Sequence, residues 1–260
     1  CYSNDGSTFI GYDRYGIIAL GTYSTYSWDY TSDKIFSIYI KPDLSGGKLL
    51  FKNDASTYAQ SSNAVHTFYA NATWQVSIYG GSIQVPGYSV YIQSSNLMFD
   101  INSDVIGLPS NIYTLFVKYF ASSTGASCGS GTYRPTCYYY SGKIEDLPDV
   151  TLFFNNENLI IPSKVYASAI GETSFYLNFR GIASSFSGKS YVTPSFQNSI
   201  ILGAPFMSYY YTVFDATSGS NTIYLYGSSD SPTNWQTIWI VVGAVGAIFL
   251  VGLCCCCCAK

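Results

Sequence analysis

Between residues 48 and 227 the chain alternates short apolar runs with polar breaks. The runs are KLLF (48–51), TWQVSIYG (73–80), YSVYIQ (88–93), VTLFF (150–154), NLIIPSKVYA (158–167), SFYLNF (174–179), YTVFD (211–215) and TIYLYG (222–227). Gly, Ser, Asn, Asp and Pro separate them, so each reads as a short strand closed by a turn. Many short strands with turn signals between them predict an all-β sandwich or barrel. One stretch departs from this rhythm. SNIYTLFVKYF (110–120) spaces Ile112, Phe116 and Tyr119 near the helical period, and it predicts a helix with Ser110 as N-cap. No repeat of solenoid length is visible.

The C-terminal run IWIVVGAVGAIFLVGLCCCCC (238–258) carries no charge. At about 1.5 Å per residue it covers the ~30 Å hydrocarbon core of a bilayer, so it predicts one C-terminal transmembrane helix. Trp235 and Trp239 stand at its start, where interfacial aromatics belong, and Lys260 is the charge beyond it. This orientation puts the body outside and a stub in the cytosol. The cysteines Cys254, Cys255, Cys256, Cys257 and Cys258 read either as lipidation sites at the membrane edge or as apolar residues of the span. The small residues Gly227, Ser228 and Ser229 before the apolar tail keep a glycolipid-anchor signal open as a third reading. Gly243 and Ala247 form a small-xxx-small pair suited to helix packing.

Composition narrows the function classes. Only 10% of residues are charged, against about 25% in ordinary domains, while tyrosine reaches 26. A net charge of −3 offers no face for a polyanion, so nucleic acid is excluded as a partner. The two methionines are Met98 and Met207, so the chain is expected to be a mature form or a fragment. Cys128 and Cys137 lie in the Gly/Ser-rich stretch ASCGSGTYRPTC (126–137), and they can close a loop if the turn brings their Cα atoms within about 4.4–6.8 Å. A cysteine pair in the body and five cysteines at the far end of the apolar segment suggest an oxidising compartment for the body and a reducing one for the stub. The sequon Asn71-Ala72-Thr73 adds a glycosylation candidate at Asn71. The expected location is a single-pass membrane protein of the secretory pathway, with its body extracellular or luminal, at the cell surface or in a lysosome or vacuole.

Most catalytic chemistry is missing. The single histidine, His66, has no cluster of acidic or thiol partners near it in sequence, so no metal site and no cofactor are expected. GASCG (125–129) matches G-x-S-x-G, but it lies in a glycine-rich loop rather than between a strand and a helix. What remains is aspartate. In LMFDINSDVIGLPSNIYTLF (97–116) a hydrophobic run delivers Asp100 into a short polar turn. Aspartate chemistry without histidine or metal means two carboxylates sharing one proton around a water, because two like charges ~3 Å apart cannot both ionise.

Several segments, in order, resemble the pepsin-like aspartic peptidases. SIILGAPFMSYYYTVFD (199–215) resembles the family's hydrophobic-hydrophobic-Gly segment and the strand after it. LPDVTLFF (147–154) resembles the LPDITF segment that follows the second-lobe disulfide loop, which supports Cys128–Cys137 as that disulfide. IFSIYIKPDLSGGKLLF (35–51) resembles the hairpin before the GGxD turn, WQVSIYGGSIQV (74–85) the strand opening the second lobe, and YGIIALG (15–21) the first-lobe DGIIGLG. The resemblance covers about residues 10–226. It implies an all-β fold of pepsin-like acid-protease barrel lobes, with the transmembrane helix appended. The implied organisation is 1–72 as a remnant of the first lobe with the interlobe hairpin, and 73–226 as the second lobe. A linker (227–237), the span with its cysteine run (238–258) and a tail (259–260) follow.

The resemblance also implies a role for Asp100 as the second catalytic aspartate, with the first aspartate and the flap upstream of Cys1. The family's Asp-Thr-Gly-Thr/Ser is here Asp100-Ile101-Asn102-Ser103. Ile101 lacks the threonine hydroxyl that bridges the two lobes in the family, Asn102 adds a side chain at the glycine, and Ser103 keeps the supporting hydroxyl. Asp104 adds a carboxylate expected to raise neighbouring carboxyl pKa values. Ala19 replaces a glycine, Tyr15 an aspartate, and Lys52-Asn53 the two glycines before Asp54. Three functions follow: a membrane-anchored aspartic endopeptidase with impaired catalysis, a pseudoprotease that binds peptides or presents its surface, or a pair of chains each giving one aspartate. The partners are a peptide or protein substrate or ligand, and the membrane.

Overall fold

A computed structural model describes residues 34–182, 198–217 and 219–228. The expected transmembrane helix (238–258) with Cys254 to Cys258, the tail 259–260 and the segment 15–21 lie outside the described residues. Among the described residues no helix is long and apolar enough to cross a membrane.

The described residues begin with β1 (Ile35–Ile40), β2 (Gly47–Leu50), the short helix α1 (Ala55–Tyr58) and β3 (His66–Ala70). It continues through β4 (Val76–Ile78), β5 (Gly81–Val85), β6 (Tyr88–Ile92), β7 (Ser95–Asp100) and β8 (Ile106–Pro109) into helix α2 (Ser110–Thr124). Then come β9 (Ser127–Cys128), β10 (Thr136–Tyr138), β11 (Val150–Phe154), β12 (Glu157–Ile161) and α3 (Ser163–Tyr166). The remainder is β13 (Ala167–Ala169), β14 (Ser174–Leu177), β15 (Phe179–Ile182), β16 (Ser199–Gly203), α4 (Ala204–Tyr209), β17 (Tyr210–Asp215) and β18 (Asn221–Gly227).

These strands form four sheets, ordered β2-β1-β17-β18-β3, β13-β14-β10-β9, β12-β11-β5-β6 and β15-β8-β16-β7-β4. Most pairings are antiparallel, but β16 runs parallel to β7 and β15 parallel to β8. The first sheet joins strands from residues 35–70 to strands from residues 210–227. In β11 the period-two pattern buries Val150, Leu152 and Phe154, and in β12 it buries Leu159 and Ile161. The inner strands β8 and β16 are buried at every position, which explains their unbroken apolar sequence. One core collects Phe116, Phe120, Phe154, Phe175, Phe179 and Phe206 with Leu97 and Tyr166.

Three local expectations change. The helix at 110–124 forms, but Pro109 is its N-cap, and the Ser110 hydroxyl donates instead to the Ile182 carbonyl at 2.8 Å. The last residue of β15 offers that hydroxyl an acceptor that a capping geometry would forgo. The run NLIIPSKVYA breaks at Pro162, which has no amide to give the ladder, into β12, α3 and β13. SFYLNF breaks at the buried Asn178, whose amide nitrogen reaches the Val165 carbonyl at 3.1 Å and the Ser168 hydroxyl at 2.8 Å.

Candidate functional site around Asp100

Strand β7 is held on both sides, by β4 and by β16, and its last residue is Asp100. Leu97 anchors it in the core, so the chain leaves the sheet at a fixed point. The Asp100 carbonyl accepts the Ser103 amide at 3.0 Å, and its Oδ1 accepts the Asn102 amide at 3.0 Å. The half-buried carboxylate therefore closes its own turn. Asn102 is not among the described residues with positive φ, so the position needs no glycine for backbone reasons. Ile101 lies beside Asp100 with half its surface exposed, and its side chain has nothing to donate.

Ser103 fastens the turn from below. It is buried, its hydroxyl donates to the Val105 carbonyl at 2.9 Å, and its carbonyl accepts the Ala204 amide at 2.7 Å. Gly203 pairs with Asp100 in the parallel ladder. A Cβ on Gly203 would lie 2.2 Å from the Val105 oxygen and 2.4 Å from the Ser103 oxygen. Those are backbone atoms that cannot swing aside, so only glycine fits. The hydrophobic-hydrophobic-Gly segment thus forms the floor of the Asp100 turn.

Asp104 takes a direction of its own. Its Oδ2 accepts the Tyr133 hydroxyl at 2.5 Å and lies 3.6 Å from the Arg134 guanidinium. That hydrogen bond, with some burial and the negative charge, pushes the Tyr133 phenol above its ordinary pKa. Arg134 in turn stacks over the Tyr176 ring at 5.1 Å. Nothing in the sequence marked Tyr133 or Arg134 as neighbours of the Asp100 turn beyond their place between Cys128 and Cys137.

The other expected site residues lie elsewhere. Cys128 and Cys137 form a disulfide and face each other across β9 and β10, with Cα atoms 4.0 Å apart. Asn71 is exposed in the turn between β3 and β4, where its Oδ1 accepts the Thr73 hydroxyl at 2.8 Å. His66 is 2.8 Å from the Glu157 carboxylate. Among the described residues no group of three or more His, Cys, Asp or Glu side chains converges as a metal site would require.

One carboxylate thus stands at the end of a strand paired on both sides, on a turn floored by a glycine of its parallel neighbour. Comparison with curated proteins returns no match. The family model for eukaryotic aspartyl protease matches residues 10–225, which include the Asp100 turn, its Gly203 floor and the disulfide. The chain belongs to the eukaryotic aspartyl protease family.

Proposed function

We propose that the protein is a membrane-anchored, pepsin-like aspartic endopeptidase in kind, with impaired catalysis and Asp100 as its surviving second aspartate. Family membership supports the reaction class. A pair of carboxylates shares a proton, and the ionised member draws a proton from water as it attacks the scissile carbonyl. Asp100 would be one member, and a first-lobe aspartate the other. Ile101 carries the case for impairment. It stands next to Asp100, half-exposed and unable to hydrogen-bond through its side chain. The Cys128–Cys137 disulfide supports an oxidising compartment, the exposed Asn71 supports glycosylation there, and the uncharged run 238–258 supports the anchor.

The alternative is a pseudoprotease that keeps peptide binding without hydrolysis, and the same Asp-Ile-Asn-Ser turn favours it. The test is hydrolysis of a peptide library by the full-length protein, at acidic and neutral pH, with and without Asp100→Ala. Slow cleavage that falls by about 100-fold or more in the variant supports the endopeptidase. Peptide binding with no cleavage in either form supports the pseudoprotease. Cleavage unchanged by the variant overturns the role of Asp100.

A further inference from the structure

We propose that Asp104 and Tyr133 are positioning residues: through the Tyr133–Asp104 hydrogen bond, the disulfide loop holds the Asp100 turn in place. The inference rests on the reading of Asp100 as a site residue, and adds what fixes its turn from the side.

Inside the turn, the polar contacts are local or lie in the floor. The Asn102 amide donates to the Asp100 carboxylate, the Ser103 hydroxyl donates to the Val105 carbonyl, and the Ala204 amide donates to the Ser103 carbonyl. Among the described residues, Asp104 makes the side-chain connection from this turn to a distant segment, through the Tyr133 hydroxyl and the Arg134 guanidinium. Both donors face one carboxylate oxygen, and a bond to an ionised acceptor is the stronger kind.

The donors stand on a rigid platform. Cys128–Cys137 closes the loop that carries them. The Arg134 amide donates to the Phe179 carbonyl at 3.1 Å, and the Gly181 amide to the Thr132 carbonyl at 2.9 Å. The Tyr113 hydroxyl of α2 donates to the Gly131 carbonyl at 2.7 Å. A hydroxyl aimed from such a platform restrains its acceptor, whereas a bond between two mobile loops would be lost to conformational entropy. Ile101 supplies no such restraint, so the lateral hold on the turn passes to Asp104.

The experiment is amide hydrogen exchange of residues 102–105 together with the phenol titration of Tyr133, followed by NMR, in the wild type, Tyr133→Phe, Asp104→Asn and the double variant. Tyr133→Phe removes one exposed hydroxyl and leaves the core intact. The expected result is roughly three- to ten-fold faster exchange at 102–105 in each single variant, no further gain in the double, and unchanged exchange in β11. In Asp104→Asn the Tyr133 titration should move down toward the ordinary phenol range. Unchanged exchange at 102–105 in both single variants, or additive effects in the double, overturns the proposal. If the turn loosens as expected but peptide cleavage or binding by the full-length protein does not respond, the clamp stands and the assignment of Asp100 fails.

Discussion

The His66 imidazole lies 2.8 Å from the Glu157 carboxylate, and the pair links β3, an edge of one sheet, to β12, an edge of another. His66 is mostly buried, stacks on Phe68 and meets Tyr210 edge-on, and the Tyr210 hydroxyl reaches the Ile160 carbonyl of β12 at 3.2 Å. The histidine links the two sheets through its side chain. Glu157→Gln should cost less than about 1 kcal/mol, since its carboxylate is partly solvated. His66→Ala should cost about 1–2 kcal/mol, because ring packing is lost with the hydrogen bond. Urea denaturation of both variants separates the two terms.

Gly203→Ala tests the floor of the Asp100 turn. The added methyl would meet two backbone oxygens at 2.2 and 2.4 Å, so β16 or the turn must move. A loss of about 1–3 kcal/mol is expected, with faster amide exchange at Ser103 and Val105. A variant as stable as the wild type, with the turn undisturbed, would contradict this packing.

The disulfide closes a loop with a sequence separation of 9. Loop closure of that length is worth about 2–3 kcal/mol through the unfolded state. Replacing Cys128 and Cys137 together by serine should lower the unfolding free energy by that amount, read from urea denaturation. Cys137 is fully buried, so the replaced side chain loses packing as well.

Three buried tyrosines predict an alkaline limit. Burial pushes Tyr113 up to about 12 and holds Tyr166 and Tyr210 well above the ordinary phenol value. A neutral group whose folded pKa is raised contributes stability that is complete below the unfolded pKa of about 10 and is lost as pH rises toward the folded value. Stability should therefore fall steeply above pH ~10. Tyr113→Phe should flatten that fall while removing the bond to Gly131. A stability profile flat through this range would refute the burial argument.

The strand pattern was legible because burial repeats every two residues. VTLFF, whose burial alternates in this way, and TIYLYG, which buries Thr222, Ile223, Leu225 and Tyr226 without alternating, both read as strands, and each became one. The helix was legible over 110–120 from its spacing, and it runs four residues further, to Thr124, where Gly125 ends it at φ 73°. Its capping residue was not, because Ser110 found a better acceptor on β15, a strand the local sequence does not specify. The breaks at Pro162 and Asn178 needed the neighbouring strands to give them meaning.

By itself the sequence determined the class of fold, the family, the cysteine pair and the placement of Asp100 in a turn after a hydrophobic run. These follow from periodicity, turn chemistry and motif order, all of which are local or ordered along the chain. The tertiary structure decided who stands beside whom. Gly203 lies under Asp100, Tyr133 holds Asp104, and Glu157 meets His66 across 91 positions. A pattern of burial states which face of a strand is inward, but not which strand lies next to it. That choice is made when the sheets pack, and the surroundings of the Asp100 turn are set there.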